Sequence, residues 1–245
     1  MKVNILGINF DQIDLDGAAK KIEALIREGD CHQVGTINPE YVVKAWENKQ
    51  LLKAITKMAL VVPDGIGIVL AALGKLNRVK GGDLVEKIAA LCAEKGDKIG
   101  LVGGEEGIAQ EALLALVEKF PGLMGFSDSG PRDVEEETRE EKRRIVIKIR
   151  KERPKILLTA FGFQGPIWID QLLGELKKRD ISLVALEVGG VFNYLAGKAK
   201  RPPKIIQKIG LEWLWRLFWE PWRLKRQMAL LKFFFLLFQL HPQKP

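Results

Sequence analysis

Histidine and cysteine are nearly absent from this chain. Of its 245 residues only His32, His241, Cys31 and Cys92 are of these types. Both cysteines sit in apolar or strand-like surroundings, which argues against a disulfide framework and for a reducing compartment. None of the four has the spacing of a metal site, so neither a metal nor another cofactor is expected. Long apolar runs are missing as well. The longest, residues 228–240, is interrupted by Lys232 and Gln239, and it falls short of the roughly 20 residues that cross a bilayer. Residues 1–10 lack a basic segment leading into a long apolar one, and Asp11 soon follows, so no signal peptide is read. The expectation is a protein of the cytoplasm whose contact with the membrane is peripheral.

Charge is unevenly spread. The chain carries a formal net charge of +8. Residues 1–195 are close to neutral, whereas ten Lys and Arg between Ala196 and Lys232 face only Glu212 and Glu220. Trp213, Trp215, Trp219 and Trp222 lie among those bases, and Phe233, Phe234, Phe235 and Phe238 follow. Bases interleaved with aromatic rings, then an apolar stretch, suit an anionic membrane surface. Nucleic acid is set aside, because tryptophan at this density on a helix belongs to the headgroup interface more than to a phosphate-tracking groove. An ordinary amphipathic helix packed on the body is the plainer alternative.

Short β-rich runs alternate with amphipathic stretches through most of the chain. Strands are expected at residues 3–6, 33–36, 58–62, 98–102, 155–160 and 182–188. Helices are expected at 15–27, 39–46, 84–93, 108–119 and 134–151. Strand then helix, repeated, predicts an α/β fold with a Rossmann-like parallel sheet flanked by helices. The unbroken apolar runs at 156–160 and 183–186 fit strands buried on both faces. Composition changes after Gly189-Gly190, where a hinge-like connection is expected before a helical segment with Pro221 as its kink or restart. The division is therefore a catalytic body, residues 1–195, and a basic, tryptophan-rich helical appendage for membrane association, residues 196–245. On a helix Trp215, Trp219 and Trp222 share one face, which is expected to enter lipid, beside a face bearing Arg216, Glu220 and Arg223.

In open α/β sheets ligands bind beyond the carboxyl ends of the strands. After the second expected strand come Thr36, Asn38 and Pro39; Asn38 and Pro39 are explained by helix capping, and the Thr36 hydroxyl is left to face the crevice. After the third comes Asp64 on a glycine turn, either a cap for the next helix or a general base at the crevice mouth. Arg78 and Lys80 follow beside Gly81-Gly82. After the fourth, Gly103-Gly104 opens a strand–turn–helix of the kind that cradles a nucleotide diphosphate, although Val102 breaks the dinucleotide fingerprint. Asp14-Leu15-Asp16 has a D-x-D form but reads as a helix start. A diphosphate leaving group without a metal needs protein cations, and Arg216, Arg223 and Arg226 are the candidates if the appendage folds over the crevice.

Several blocks together resemble one family. Gly189-Gly190-Val191-Phe192-Asn193-Tyr194-Leu195-Ala196-Gly197, Lys200-Arg201-Pro202-Pro203, Gly210-Leu211-Glu212-Trp213-Leu214-Trp215-Arg216-Leu217 and Glu220-Pro221-Trp222-Arg223 are similar to the carboxyl-terminal signature of the WecG/TagA/CpsF glycosyltransferases. Thr36-Ile37-Asn38-Pro39-Glu40, Asp64-Gly65-Ile66-Gly67, Arg78-Val79-Lys80-Gly81-Gly82-Asp83-Leu84 and Gly103-Gly104-Glu105-Glu106-Gly107 match its other blocks in order. The resemblance implies an inverting, metal-independent transferase on the cytoplasmic face of the membrane. It would move N-acetylmannosamine, or a related sugar, from a UDP donor to polyprenyl-diphosphate-linked N-acetylglucosamine, for teichoic acid or another surface polysaccharide. It implies Asp64 as the base for the acceptor hydroxyl, Thr36 and Asn38 lining the donor and acceptor site, and the appendage arginines holding the diphosphate. Arg78, Gly103, Gly104 and Gln164 complete the expected substrate-binding set.

Two departures from the family pattern stand out. Gly162-Phe163-Gln164-Gly165-Pro166-Ile167-Trp168-Ile169 stands where the family has G-x-P-K-Q-E-x-W-I, and Asn193 replaces the usual Asp of its G-x-F-D block. They motivate a rival reading, a catalytically weakened protein that binds lipid-linked sugars or partner enzymes. A nucleotide-sugar dehydrogenase is the third reading. Exposed tryptophan without lipid also leaves homo-oligomer formation open.

Overall fold

The computed structural model describes residues 1–203, 205–206, 210–219 and 224–240. The chain opens with a hairpin of β1 (Lys2–Ile5) and β2 (Ile8–Asp11), joined by Leu6 and Gly7, both at positive φ. Two consecutive left-handed residues give the tight turn that matches strand twist. Then follow α1 (Leu15–Glu28), β3 (Cys31–Ile37), α2 (Pro39–Glu47), α3 (Lys49–Thr56), β4 (Leu60–Pro63), α4 (Ile66–Ala71), α5 (Gly81–Lys95), β5 (Lys98–Gly103), α6 (Ile108–Lys119) and β6 (Met124–Asp128). The order continues with α7 (Arg139–Glu152), β7 (Ile156–Ala160), a 3-10 turn (Gly162–Gln164), α8 (Gly165–Lys177), β8 (Leu183–Glu187), α9 (Val191–Leu195), α10 (Glu212–Trp219) and α11 (Leu224–Leu240).

Six strands form one parallel sheet in the order β4-β3-β8-β7-β5-β6. The expected α/β architecture is therefore present, with helices on both faces. Alternate residues of each strand serve opposite faces. Leu101, Leu158, Val184 and Leu186 meet the cluster formed with α1, α5 and α6, while Leu157, Leu183 and Ala185 meet α7 and α8. The edge strand β4 is covered by the hairpin: the Asp11 carboxylate accepts from Val61 N–H at 3.0 Å, which removes an open pairing edge.

The structure adds elements that the sequence pattern did not show. Strands β2 and β6 and helices α3 and α8 are present, and α9 occupies the start of the expected hinge. The helix expected from residue 134 begins at Arg139, fixed by a capping box between Thr138 and Glu141. Asp14 caps α1 by accepting from Gly17 N–H at 2.8 Å, and Asp16 pairs with Lys87. The D-x-D element is thus a helix start. Pro221 lies outside the described residues.

Helix α11 packs along α2 and touches α4. Phe233 and Leu236 are buried there with Ile37, Val42, Leu51 and Ile68. The far face of α11 is apolar too: Met228, Leu231, Phe235 and Phe238, spaced by three, four and three residues, are all exposed. One helix thus carries two apolar stripes, one against the body and one turned outward.

Candidate active site

The turns that follow β3, β4, β5, β7 and β8 surround one cleft of about 1250 Å³. Thr36, Asn38, Asp64, Arg78, Gly104 and Gln164, all singled out from the sequence, line it together. Asn38 also caps α2, its Oδ1 accepting from Tyr41 N–H at 3.0 Å, with Pro39 in the first turn. Gly103 does not line the cleft. It ends β5 at φ +100°, and a Cβ there would stand 2.8 Å from the Phe161 ring. Its lack of a side chain makes room for that ring.

Asp64 stands one residue beyond β4. Its N–H donates to Ile37 O at 2.9 Å, which ties the turn to the end of β3. Its Oδ2 lies 3.4 Å from Gly81 N. A Cβ added at Gly81 would be 3.3 Å from Thr36 Oγ1 and 3.5 Å from Asp64 Oδ2. Glycine at the first turn of α5 therefore keeps a space open between the hydroxyl and the carboxylate. The cations of this wall are engaged by the appendage: Glu212 of α10 pairs with Arg78, and reaches Lys80 at 3.5 Å. Burial lowers the pKa of Arg78, while Asp64 and Asp83 act to raise it. Burial also lowers that of Lys80. Arg201, beyond α9, pairs with Asp83 and reaches Glu86 at 3.4 Å.

The opposite wall is formed by the turns after β5, β6 and β7. Gly104 N–H is taken by Ala160 O at 3.0 Å. Glu105 and Glu106 come to the cleft beside it, as do Ser129, Gly130 and Arg132. The loop carrying these last three is held by Asp128, which accepts from Gly130 N–H at 2.9 Å, Arg144 at 2.9 Å and Lys148 at 3.0 Å. Burial works to raise the Asp128 pKa, but these donors outweigh it and hold the carboxyl below its usual value. Gln164 donates to Glu135, and Tyr41 O–H donates to Gly162 O at 2.9 Å.

Glu187, the last residue of β8, is a cleft residue that sequence reasoning missed. Its Oε2 accepts from Thr159 Oγ1 at 2.7 Å and Phe161 N at 3.1 Å. Its Oε1 accepts from Gly162 N at 3.0 Å and Gly189 N at 2.9 Å. Burial pushes its pKa up to about 7, against the pull of those four donors. The available signal was an acid closing an otherwise apolar strand, just before a glycine pair.

The appendage meets the cleft through α10, where Glu212 and Trp213 line it, and through Leu230 of α11. Of the face expected to enter lipid, Trp219 is exposed, Trp215 is half-buried and Trp222 lies outside the described residues. Trp213 lines the cleft, and Lys200 Nζ sits 4.6 Å from the centre of the Trp219 ring. Among the described side chains of α10 the most exposed is Phe218. The side chains of Arg216 and Arg226, and all of Trp222 and Arg223, lie outside the described residues. Among the described residues, no cluster of His, Cys, Asp and Glu is placed to hold a metal ion, and no helix is long and apolar enough to cross a membrane.

Comparison with known proteins finds similarity along most of the chain. The family model for the glycosyl transferase WecG/TagA/CpsF family matches residues 3–244. A Staphylococcus aureus (strain NCTC 8325 / PS 47) protein named N-acetylglucosaminyldiphosphoundecaprenol N-acetyl-beta-D-mannosaminyltransferase is 27% identical over 222 residues, covering 88% of this chain and 84% of its own. A Bacillus subtilis (strain 168) protein of the same name is 24% identical over 207 residues, covering 82% and 76%. With its parallel sheet, and with a family model that matches nearly all of its length, the chain is a glycosyltransferase that belongs to the WecG/TagA/CpsF family.

Proposed function

We propose that the protein transfers N-acetylmannosamine, or a closely related sugar, from a UDP donor to polyprenyl-diphosphate-linked N-acetylglucosamine, with inversion and without a metal. The observation that carries this reading is the Asp64 carboxylate, held beyond β4 beside Thr36, with a glycine keeping the space between them open. The relatives' names supply the sugar and the acceptor. The acceptor hydroxyl gives its proton to Asp64 as its oxygen attacks the anomeric carbon from the face opposite the nucleotide. The bond from that carbon to the diphosphate breaks, and UDP leaves with the electron pair. Arg216, Arg223 and Arg226 are assigned to the departing diphosphate. Support comes from α10, which Glu212 ties to Arg78 and Lys80.

The same reading places the molecule on the cytoplasmic face of the membrane, docked by the outward stripe of α11 and by Phe218 of α10. A lipid-linked acceptor keeps its chain in the bilayer, and Leu230 puts α11 at the cleft's own edge. Asp64→Asn tests the chemistry. A folded variant should lose about 10²–10⁴-fold in turnover with UDP-N-acetylmannosamine and lipid acceptor. Near-normal turnover would remove Asp64 as the base.

A further inference from the structure

Among the described cleft residues, Glu187 is the most deeply buried acid, and the chemistry above leaves it unused. Its two oxygens accept four hydrogen bonds from three separate pieces of chain. Thr159 belongs to β7, Phe161 and Gly162 to the turn that carries Gln164, and Gly189 to the turn that leads into α9, whose third residue is Asn193. Gln164 and Asn193 both line the cleft. Neither turn is held by a helix or sheet ladder at these amides, so the carboxylate is what joins them.

Its place is also cut to fit. A Cβ at Gly165 would stand 2.0 Å from Glu187 Oε2 and 2.4 Å from Cδ. Any residue larger than glycine at the start of α8 would compete for the volume that this carboxylate fills. Gly165 and Glu187 are therefore one device made of two distant positions. Four donors on one carboxylate, two of them from the backbone of a single turn, define orientation far more tightly than a surface contact does.

We infer that Glu187 is a positioning residue for transfer: it fixes the spacing between the Gln164 turn and the turn that leads into α9, and so shapes the wall that meets the donor sugar. This rests on the transferase reading above. The carboxylate, already saturated by protein donors, acts through those turns and not on the reacting atoms.

The test uses the full chain, UDP-N-acetylmannosamine, and polyprenyl-diphosphate-linked N-acetylglucosamine in detergent, with KM for each substrate, kcat and melting temperature recorded. Glu187→Gln keeps the shape but turns one acceptor into a donor that faces backbone N–H. Donor KM should rise about ten-fold, the effect of leaving one buried donor unmatched, while acceptor KM stays unchanged. Amide hydrogen exchange at Phe161, Gly162 and Gly189 should accelerate in the same variant. Thr159→Val, which removes one donor and leaves the carboxylate, should move donor KM the same way by less, and it keeps the question open to measurement if the glutamine variant does not fold. Gly165→Ala should damage the wild type more than it damages Glu187→Ala, because the second change removes the clash. A lower melting temperature with unchanged donor KM and kcat would reduce Glu187 to a structural part and overturn the inference. Strictly additive costs at 165 and 187 would do the same. A wild type that transfers nothing from this donor would instead refute the functional reading, while the exchange data would still report on Glu187.

Discussion

Phe233→Ala asks whether α11 is part of the body or a detachable strap. The Phe233 side chain has no exposed surface and packs with Ile37, Val42, Leu51 and Ile68. Truncating a phenylalanine in such a site costs about 3–5 kcal/mol, from lost transfer energy and the cavity left behind. The Lys232–Glu47 pair beside it is exposed on both sides, and exposed pairs contribute about 0–1 kcal/mol, so docking rests on the apolar stripe. The assay is urea unfolding of the full chain, followed by far-UV circular dichroism and by tryptophan fluorescence. Trp46 and Trp168 report the body, and Trp213, Trp215, Trp219 and Trp222 report the appendage. Both probes should shift together, by about 1 M for a slope near 3 kcal/mol/M. Phe238→Ala, on the opposite and 78% exposed side of the same helix, should leave both midpoints within about 0.5 kcal/mol and weaken binding to anionic vesicles. A body transition that ignores Phe233→Ala would refute the claim that α11 shares the core.

Gly81→Ala should leave melting intact or slightly raised, because alanine is the better helix former by about 1 kcal/mol. Its methyl would lie 3.3 Å from Thr36 Oγ1, so kcat/KM should fall sharply; unchanged kinetics would show that the space is not used. Asp128→Asn should lose about 1–3 kcal/mol at pH 7, as a buried charge-assisted network is broken. Because the native carboxyl titrates below the ordinary 3.8, the unfolded chain binds its proton first as pH falls. The contribution of Asp128 is therefore complete well above pH 3.8 and fades as acid passes through the lower native value. Urea midpoints of wild type and variant should converge in that window, and a constant gap would contradict this assignment.

The candidate wall around Asp64 was legible because its residues announce themselves locally. Thr36, Asn38 and Asp64 each follow an apolar run and precede a helix start, and the carboxyl ends of parallel strands form the binding edge. Strands β7 and β8 were legible as unbroken apolar runs. Strand β2, only Ile-Asn-Phe-Asp, and edge strand β6, with Gly125 and Ser127, carry too weak a pattern. Helix α8 was hidden because Gly165-Pro166 reads as a turn, although proline suits a first helical turn. Glu187 was invisible for a different reason: its meaning lies in amides from residues 161, 162 and 189, which only the folded chain brings together. The two departures from the family pattern, at 162–169 and at Asn193, fall in or directly after the two turns that this carboxylate joins.

Helix α11, greasy on opposite sides, has a thermodynamic consequence. Burying one stripe against the body leaves Met228, Leu231, Phe235 and Phe238 in contact with water at a standing cost, roughly 25 cal/mol for every Å² of apolar area. That energy is recovered wherever an oil–water boundary is offered, so the molecule should adsorb to bilayers, micelles or its own copies in preference to remaining dispersed. For the lipid-linked acceptor proposed above, adsorption would turn a volume search into an areal one.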